Sequence, residues 1–185
     1  RSSDLLGVPP KALSLNGELG LAFGARGTGG IDAAAAHYES DKIVINLTKK
    51  SGEGSLGHEF FHALDNYFSR LRGKAGDFTT EALDVSLAGR NSPYHSDGLI
   101  RKEMIEAFGA VMRAIRSTAL KARSSKLDAK RSKEYWTTDR EMAARAFEFY
   151  LISKLHDNNA SNDYLSNIVD EATWKAAEAM GFELE

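Results

Sequence analysis

The first 18 residues carry Pro9-Pro10 and little hydrophobic periodicity, and they read as a lead-in arm to a domain over residues 19–185. Across residues 19–38, short apolar runs are broken by Gly20, Gly24 and Gly27-Thr28-Gly29-Gly30, the pattern of a hairpin with a glycine-rich turn. Ala33 to Ala36 can also start a helix. The clearest strand is Lys42-Ile43-Val44-Ile45-Asn46-Leu47, β-branched and bounded by charge. Read as an edge strand, its Val44, Ile45 and Asn46 are candidate substrate-binding residues that hold an extended peptide by strand addition. Beyond Gly52 and Gly54 the period becomes helical, with Ser55 as a cap. Leu56, Phe60, Leu64, Tyr67, Phe68 and Leu71 gather on one side, His58, His62, Asp65 and Ser69 on the other.

Residues 73–98 are irregular and long for a plain connection, as in binding loops and lids. Ile105, Phe108, Val111, Met112, Ile115 and Leu120 predict a buried helix face over residues 99–126, and the charged residues 121–133 read as a connector. Thr137 or Thr138 caps a further helix to about residue 155. There Met142, Ala146, Phe149 and Tyr150 form one stripe, and Glu141, Arg145, Glu148 and Ile152 another. Residues 158–185 show a polar loop and a short amphipathic helix with Trp174, Ala177 and Met180, which read as packing.

His58-Glu59-Phe60-Phe61-His62 is an H-E-x-x-H run on the polar face of a predicted helix. Two imidazoles four residues apart reach one metal ion, and Glu59 lies beside it as the general base for a metal-bound water. With no cysteine in 185 residues, disulfides, thiolate zinc sites and cysteine nucleophiles are excluded. A third ligand therefore comes from His, Asp or Glu, and the helix after Thr138 offers Glu141 and Glu148, seven apart on one face; spacing does not choose between them. His95, in the irregular stretch, is a candidate transition-state hydrogen-bond donor.

Hydrophobic residues at 42% and charged residues at 27% are ordinary for one globular domain. No apolar run reaches the roughly 18 residues of a membrane span. Starting at Arg1 rather than Met, the chain reads as a fragment of a longer protein, and a removed leader stays open. The net charge of −2 hides ten Lys/Arg against four Asp/Glu between Arg101 and Glu134. No aromatic residues interleave these cations as a base-stacking surface requires, so the stripe reads as a solvated face and nucleic acid is not an expected partner.

Several blocks then fall in one order: Gly20-Leu21-Ala22-Phe23-Gly24-Ala25-Arg26-Gly27, Ala36-His37-Tyr38-Glu39, Val44-Ile45-Asn46-Leu47-Thr48-Lys49, the H-E-x-x-H helix through Tyr67, and Tyr135-Trp136 through Glu148. Together they resemble the large polyvalent protein-associated domain of the first type, a zincin-like module of very large phage and mobile-element proteins. The last block is also similar to the third-ligand helix of lethal-factor-like metalloproteases, E-[FM]-x-A-x-A-F. That likeness implies Glu141 as the third zinc ligand and Tyr135 as a transition-state support. In thermolysin-like enzymes an aspartate four residues past the third ligand orients a histidine; Arg145 stands there here, and Asp65 is the candidate to support the histidines instead.

The expected fold is a zincin-like α+β domain, with a short mixed or antiparallel sheet followed by long helices and the metal between two of them. The expected function is a Zn²⁺-dependent metallopeptidase, acting on its parent polyprotein or on host proteins. The alternative is a non-catalytic, zinc-stabilised binding module of a polyvalent protein. The resemblance implies a protein or peptide substrate, other modules of the polyprotein as partners, no membrane, and a place in the bacterial host cytoplasm or with the phage particle.

Overall fold

A computed structural model describes residues 2–24, 36–48, 52, 54–72, 76–82, 98–129 and 131–166. The chain is α+β: a three-stranded mixed sheet and several helices, arranged about the helix that carries His58 and His62. Strands β1 (Gly20–Phe23), β2 (Ala36–Glu39) and β3 (Val44–Leu47) lie in the order β1-β3-β2. β1 pairs with β3 in parallel, Leu21 opposite Ile45, and β2 pairs with β3 antiparallel, Tyr38 opposite Ile45. The helices are α1 (Ser2–Leu6), α2 (Pro10–Leu13), α3 (Leu56–Arg70), α4 (Thr79–Ala82), α5 (Lys102–Arg116), α6 (Leu120–Asp128) and α7 (Asp139–Asp157).

α3 belongs to two hydrophobic layers at once. Ala63 packs with Leu15, Ala36, Ile45 and Leu47 under the sheet, joined by Leu56, Phe60, Leu64 and Tyr67. Phe61 packs with Ile105, Phe108, Met112, Met142, Ala143 and Ala144 of α5 and α7, and Phe68 joins that side. A helix held by a sheet and by two other helices has little freedom to shift, and the histidines of its polar stripe face α7 while Asp65 and Ser69 face α4.

Four expectations are corrected. β3 is the middle strand, so the backbone of Val44, Ile45 and Asn46 is paired on both sides and strand addition there is closed. For the same reason β1 and β2 do not form a hairpin with each other; each pairs with β3. Ile43 takes a left-handed φ of 54°, a turn geometry that delays the start of β3 to Val44. The lead-in arm is helical, and its Leu15 is buried in the sheet layer.

The long helix predicted over residues 99–126 is broken after Arg116, where the hydroxyls of Ser117 and Thr118 donate to the carbonyls of Ala114 and Ile115. The charged connector is not loose, because α6 occupies most of it. α7 buries Glu141, Met142, Ala143 and Ala144 in succession, so it is enclosed on several sides at its start. Of the stripe Met142, Ala146, Phe149 and Tyr150, Met142 is buried, whereas Phe149 and Tyr150 are exposed at 54% and 44% and Leu151 is buried beside them. Among the described residues no helix is long and apolar enough to cross a membrane.

Candidate metal centre

Ser55 stands at the N-cap of α3 without a side-chain cap bond. Two of the free N–H groups of that first turn, on Leu56 and Gly57, donate instead to the carbonyls of Tyr164 and Leu165, at 3.2 and 3.0 Å. Only glycine permits this clasp at position 57, since a Cβ there would strike Leu151 Cδ1 and come within 2.7 Å of the Leu165 oxygen. The next residue is His58, so the clasp fixes the start of the polar stripe.

From that stripe His58 and His62 point at α7, and Glu141 meets them from the first turn of α7. His58 Nε2 lies 3.2 Å from Glu141 Oε1, His62 Nε2 lies 3.5 Å from Oε2, and the two Nε2 atoms are 3.0 Å apart. The three side chains offer one ligand atom each, all within 4.8 Å of one another. A tetrahedral ion with bonds of about 2.1 Å spaces its ligands roughly 3.4 Å apart, and the observed separations bracket that spacing. Glu141, only 2% exposed, could not be kept buried as a carboxylate without cationic partners. The donor set of two imidazoles and one carboxylate fits a zinc ion with one position left open.

The protonation of the cluster follows from this crowding. Burial disfavours a charged His58, but the carboxylates of Glu141 and Glu148 outweigh it and lift its pKa to about 10. Burial pushes Glu141 up, and the hydrogen bonds from His58 and His62 overcome it and hold the carboxyl well below the usual carboxylate range. At neutral pH the cluster thus carries a proton where a divalent cation would sit. Glu59 is buried beside it, its pKa raised by that burial against the opposing pull of the two histidines, and it accepts from the Tyr38 N–H of β2.

Tyr135 hydrogen-bonds Glu141, and its pKa is raised by burial and then by the Glu141 charge. Glu148, an alternative third ligand by spacing, sits on the other nitrogen of His58, 3.8 Å from Nδ1. Geometry thus separates the two glutamates: Glu141 joins both histidines, and Glu148 backs one of them. Asp65 does not support a histidine; its oxygens accept from the Thr80 N–H at 2.9 Å and the Thr80 hydroxyl at 2.5 Å. His95 lies outside the described residues.

Three contributors were not foreseen. Phe78 meets His62 edge-on, with ring centroids 6.0 Å apart, and Arg140 lies over Phe78 at 5.1 Å. Arg145 stacks on Trp136 at 3.6 Å, with Nε 3.8 Å from Glu141 Oε1. Asp128 binds the loop that bears Tyr135 and Trp136. Spacing carries no signal for Phe78 and Arg140, whereas the four-residue step from Glu141 to Arg145 on one helix face is a signal for the second. An aspartate ahead of a turn is a signal for the third.

The family model described as Large polyvalent protein-associated domain 1 matches residues 127–181. This is the family suggested by the sequence blocks, and the matched span holds Tyr135, Trp136, Glu141, Arg145 and Glu148, whereas the H-E-x-x-H helix lies ahead of it. Neither a curated protein nor a solved structure matches the chain.

Proposed function

We propose that this domain is a zinc-dependent peptidase of the zincin type, working within a polyvalent protein of a phage or mobile element. The observation that carries the reading is the convergence of His58, His62 and Glu141, with Glu59 buried at their side. Zinc held there would polarise the scissile carbonyl and turn water into a nucleophile at neutral pH. Glu59, buried beside the cluster, would serve as the base for the attacking water and pass its proton on to the leaving amine. The Tyr135 hydroxyl, already directed at Glu141, turns to the anionic oxygen of the tetrahedral intermediate. A substrate strand adds to β2 rather than to β3, because β2 is an edge strand among the described residues and runs beside Glu59. The substrate is the parent polyprotein or a host protein.

The test begins with metal content of the purified protein by mass spectrometry. Near one zinc per chain is expected. Cleavage of an unstructured protein such as casein, blocked by chelator, is then expected to fall by about 10²–10⁴-fold in Glu59→Gln with zinc content retained. Glu59→Gln cleaving at the native rate would refute the peptidase reading. A zinc-loaded protein that cleaves nothing but captures a partner module would instead make this a zinc-stabilised binding domain.

A further inference from the structure

Asp128 is the last residue of α6, and residues 129–134 separate it from the loop that leads into α7. Its Oδ1 accepts from the backbone N–H groups of Tyr135 and Trp136, both at 3.0 Å. Its Oδ2 accepts from the N–H of Thr137 at 2.9 Å and from the Thr137 hydroxyl at 2.6 Å. One carboxylate thus gathers three consecutive backbone donors and a hydroxyl. Arg131 adds to this closure, with its N–H on the Asp128 carbonyl at 2.9 Å and its guanidinium 5.1 Å from the Tyr135 ring centre.

The two residues gathered first are the two that reach the cluster. Tyr135 hydrogen-bonds Glu141, and Trp136 is the platform on which Arg145 lies beside the same carboxylate. The rings of Tyr135 and Trp136 meet edge-on, with centroids 4.9 Å apart, so they are set as a pair. Glu141 is therefore flanked by two groups that both depend on where residues 135 and 136 are pinned.

We propose that Asp128 is a positioning residue for the metal centre: by fixing the backbone at residues 135–137 it holds Tyr135 and the Trp136–Arg145 stack against Glu141 and so sets the aim of the third ligand. The inference rests on the metal-binding reading of the cluster. Desolvation opposes the charge on Asp128, but the Thr137 hydroxyl and the backbone donors together outweigh it and bring the pKa to about 2. The anchor is thus ionised at neutral pH.

The experiment is a Zn²⁺ titration by calorimetry of the wild type, Asp128→Asn and Asp128→Ala, with Glu103→Gln as a control for loss of an exposed acid. Tryptophan emission is read in parallel in a Trp174→Phe background, so that Trp136 alone reports. Asp128→Asn is expected to weaken Zn²⁺ binding about tenfold, the low end of what losing a group behind a ligand costs, and to shift Trp136 emission in the metal-free protein. In a Tyr135→Phe/Trp136→Phe background the same change is expected to have almost no further effect on Zn²⁺ affinity, which simple loss of a surface turn would not produce. If Asp128→Ala does not fold by circular dichroism, Asp128→Asn, which keeps the shape, decides. Undiminished Zn²⁺ affinity in Asp128→Asn, or an equal loss in the doubly substituted background, overturns the inference while leaving the metal centre standing. A wild type that takes up no Zn²⁺ removes the metal reading itself, and this proposal with it.

Discussion

In the C-terminal half of α3, Asp65, Asn66 and Ser69 are fully buried, and each meets groups of opposite hydrogen-bonding character. Asp65 receives Thr80, Asn66 accepts from the Tyr38 hydroxyl and donates to the Asp77 carbonyl, and Ser69 meets the Thr79 hydroxyl. In the N-terminal half, His58 and His62 bring their Nε2 atoms to 3.0 Å from each other, and His62 Nδ1 has no partner among the described residues. Both halves are polar and both are enclosed. The difference is that the first is closed by protein alone, so it is scaffold, whereas the second gathers electron pairs that only a proton or a metal ion reconciles. A polar stripe on a helix does not announce function; an incompletely complemented one does.

The largest test of this contrast removes the incomplete half. His58→Ala/His62→Ala is expected to abolish zinc binding outright, seen as the loss of the metal signal in native mass spectrometry, while the fold persists by circular dichroism. In the wild type, zinc uptake at pH 7 is expected to release protons, because His58 holds one in the metal-free cluster. Calorimetry in buffers of different ionisation enthalpy measures the release; zinc bound without it would mean that the histidines are not the site.

Disturbing the complete half should cost stability and spare the metal. Asp65→Ala leaves the Thr80 N–H and hydroxyl without their acceptor, a loss of roughly 2–3 kcal/mol in urea unfolding at pH 7, with zinc stoichiometry unchanged. The same residue predicts a pH dependence. Burial raises Asp65 to about 6 against the bonds from Thr80. From about pH 4 to pH 6 the folded chain therefore keeps a proton that the unfolded chain has released, so stability from this group falls as pH rises through that window and levels above it. Asp65→Asn should flatten that slope relative to wild type; an unchanged slope would show that Asp65 titrates normally.

The sequence made the two faces of α3 legible because helical period alone separates His58 and His62 from Phe60 and Leu64. It did not separate the two halves of the polar face, since Asp65 lies on the same stripe as the histidines and only the position of Thr80, fifteen residues on, shows where its carboxylate is used. Strand order was hidden for a similar reason. β3 looks like an edge strand from its own residues, and its central place comes from pairing on both sides with strands that precede it. Glu141 and Glu148 were inseparable by spacing, because residues seven apart share a helix face, and only their distances to the histidines of α3 separate them.

A smaller effect is expected where the two helices meet the tail. Gly57→Ala puts a methyl group against Leu151 and within 2.7 Å of the Leu165 carbonyl, so the clasp on the first turn of α3 must open. Overpacking of this kind costs about 1–3 kcal/mol, and because position 57 precedes His58, zinc affinity should fall along with stability. Loss of stability with unchanged zinc affinity would show that the clasp holds the fold without aiming the histidine.

The finest division lies within the incomplete half, between the carboxylate that joins both histidines and the one that backs His58. Glu141→Gln should remove a ligand, whereas Glu148→Gln removes only the anion 3.8 Å from His58 Nδ1. That carboxylate favours the tautomer that leaves Nε2 free for a metal, and its loss is expected to weaken zinc about tenfold, near 1.4 kcal/mol. Glu148 is 30% exposed at its side chain, so water shares the Nδ1 proton after the substitution and the loss stays at that low end. Competition with a chromogenic zinc chelator measures both variants on one scale. Equal losses in the two would mean that Glu141 and Glu148 act alike, and the distinction between a carboxylate inside the cluster and one behind it would fall.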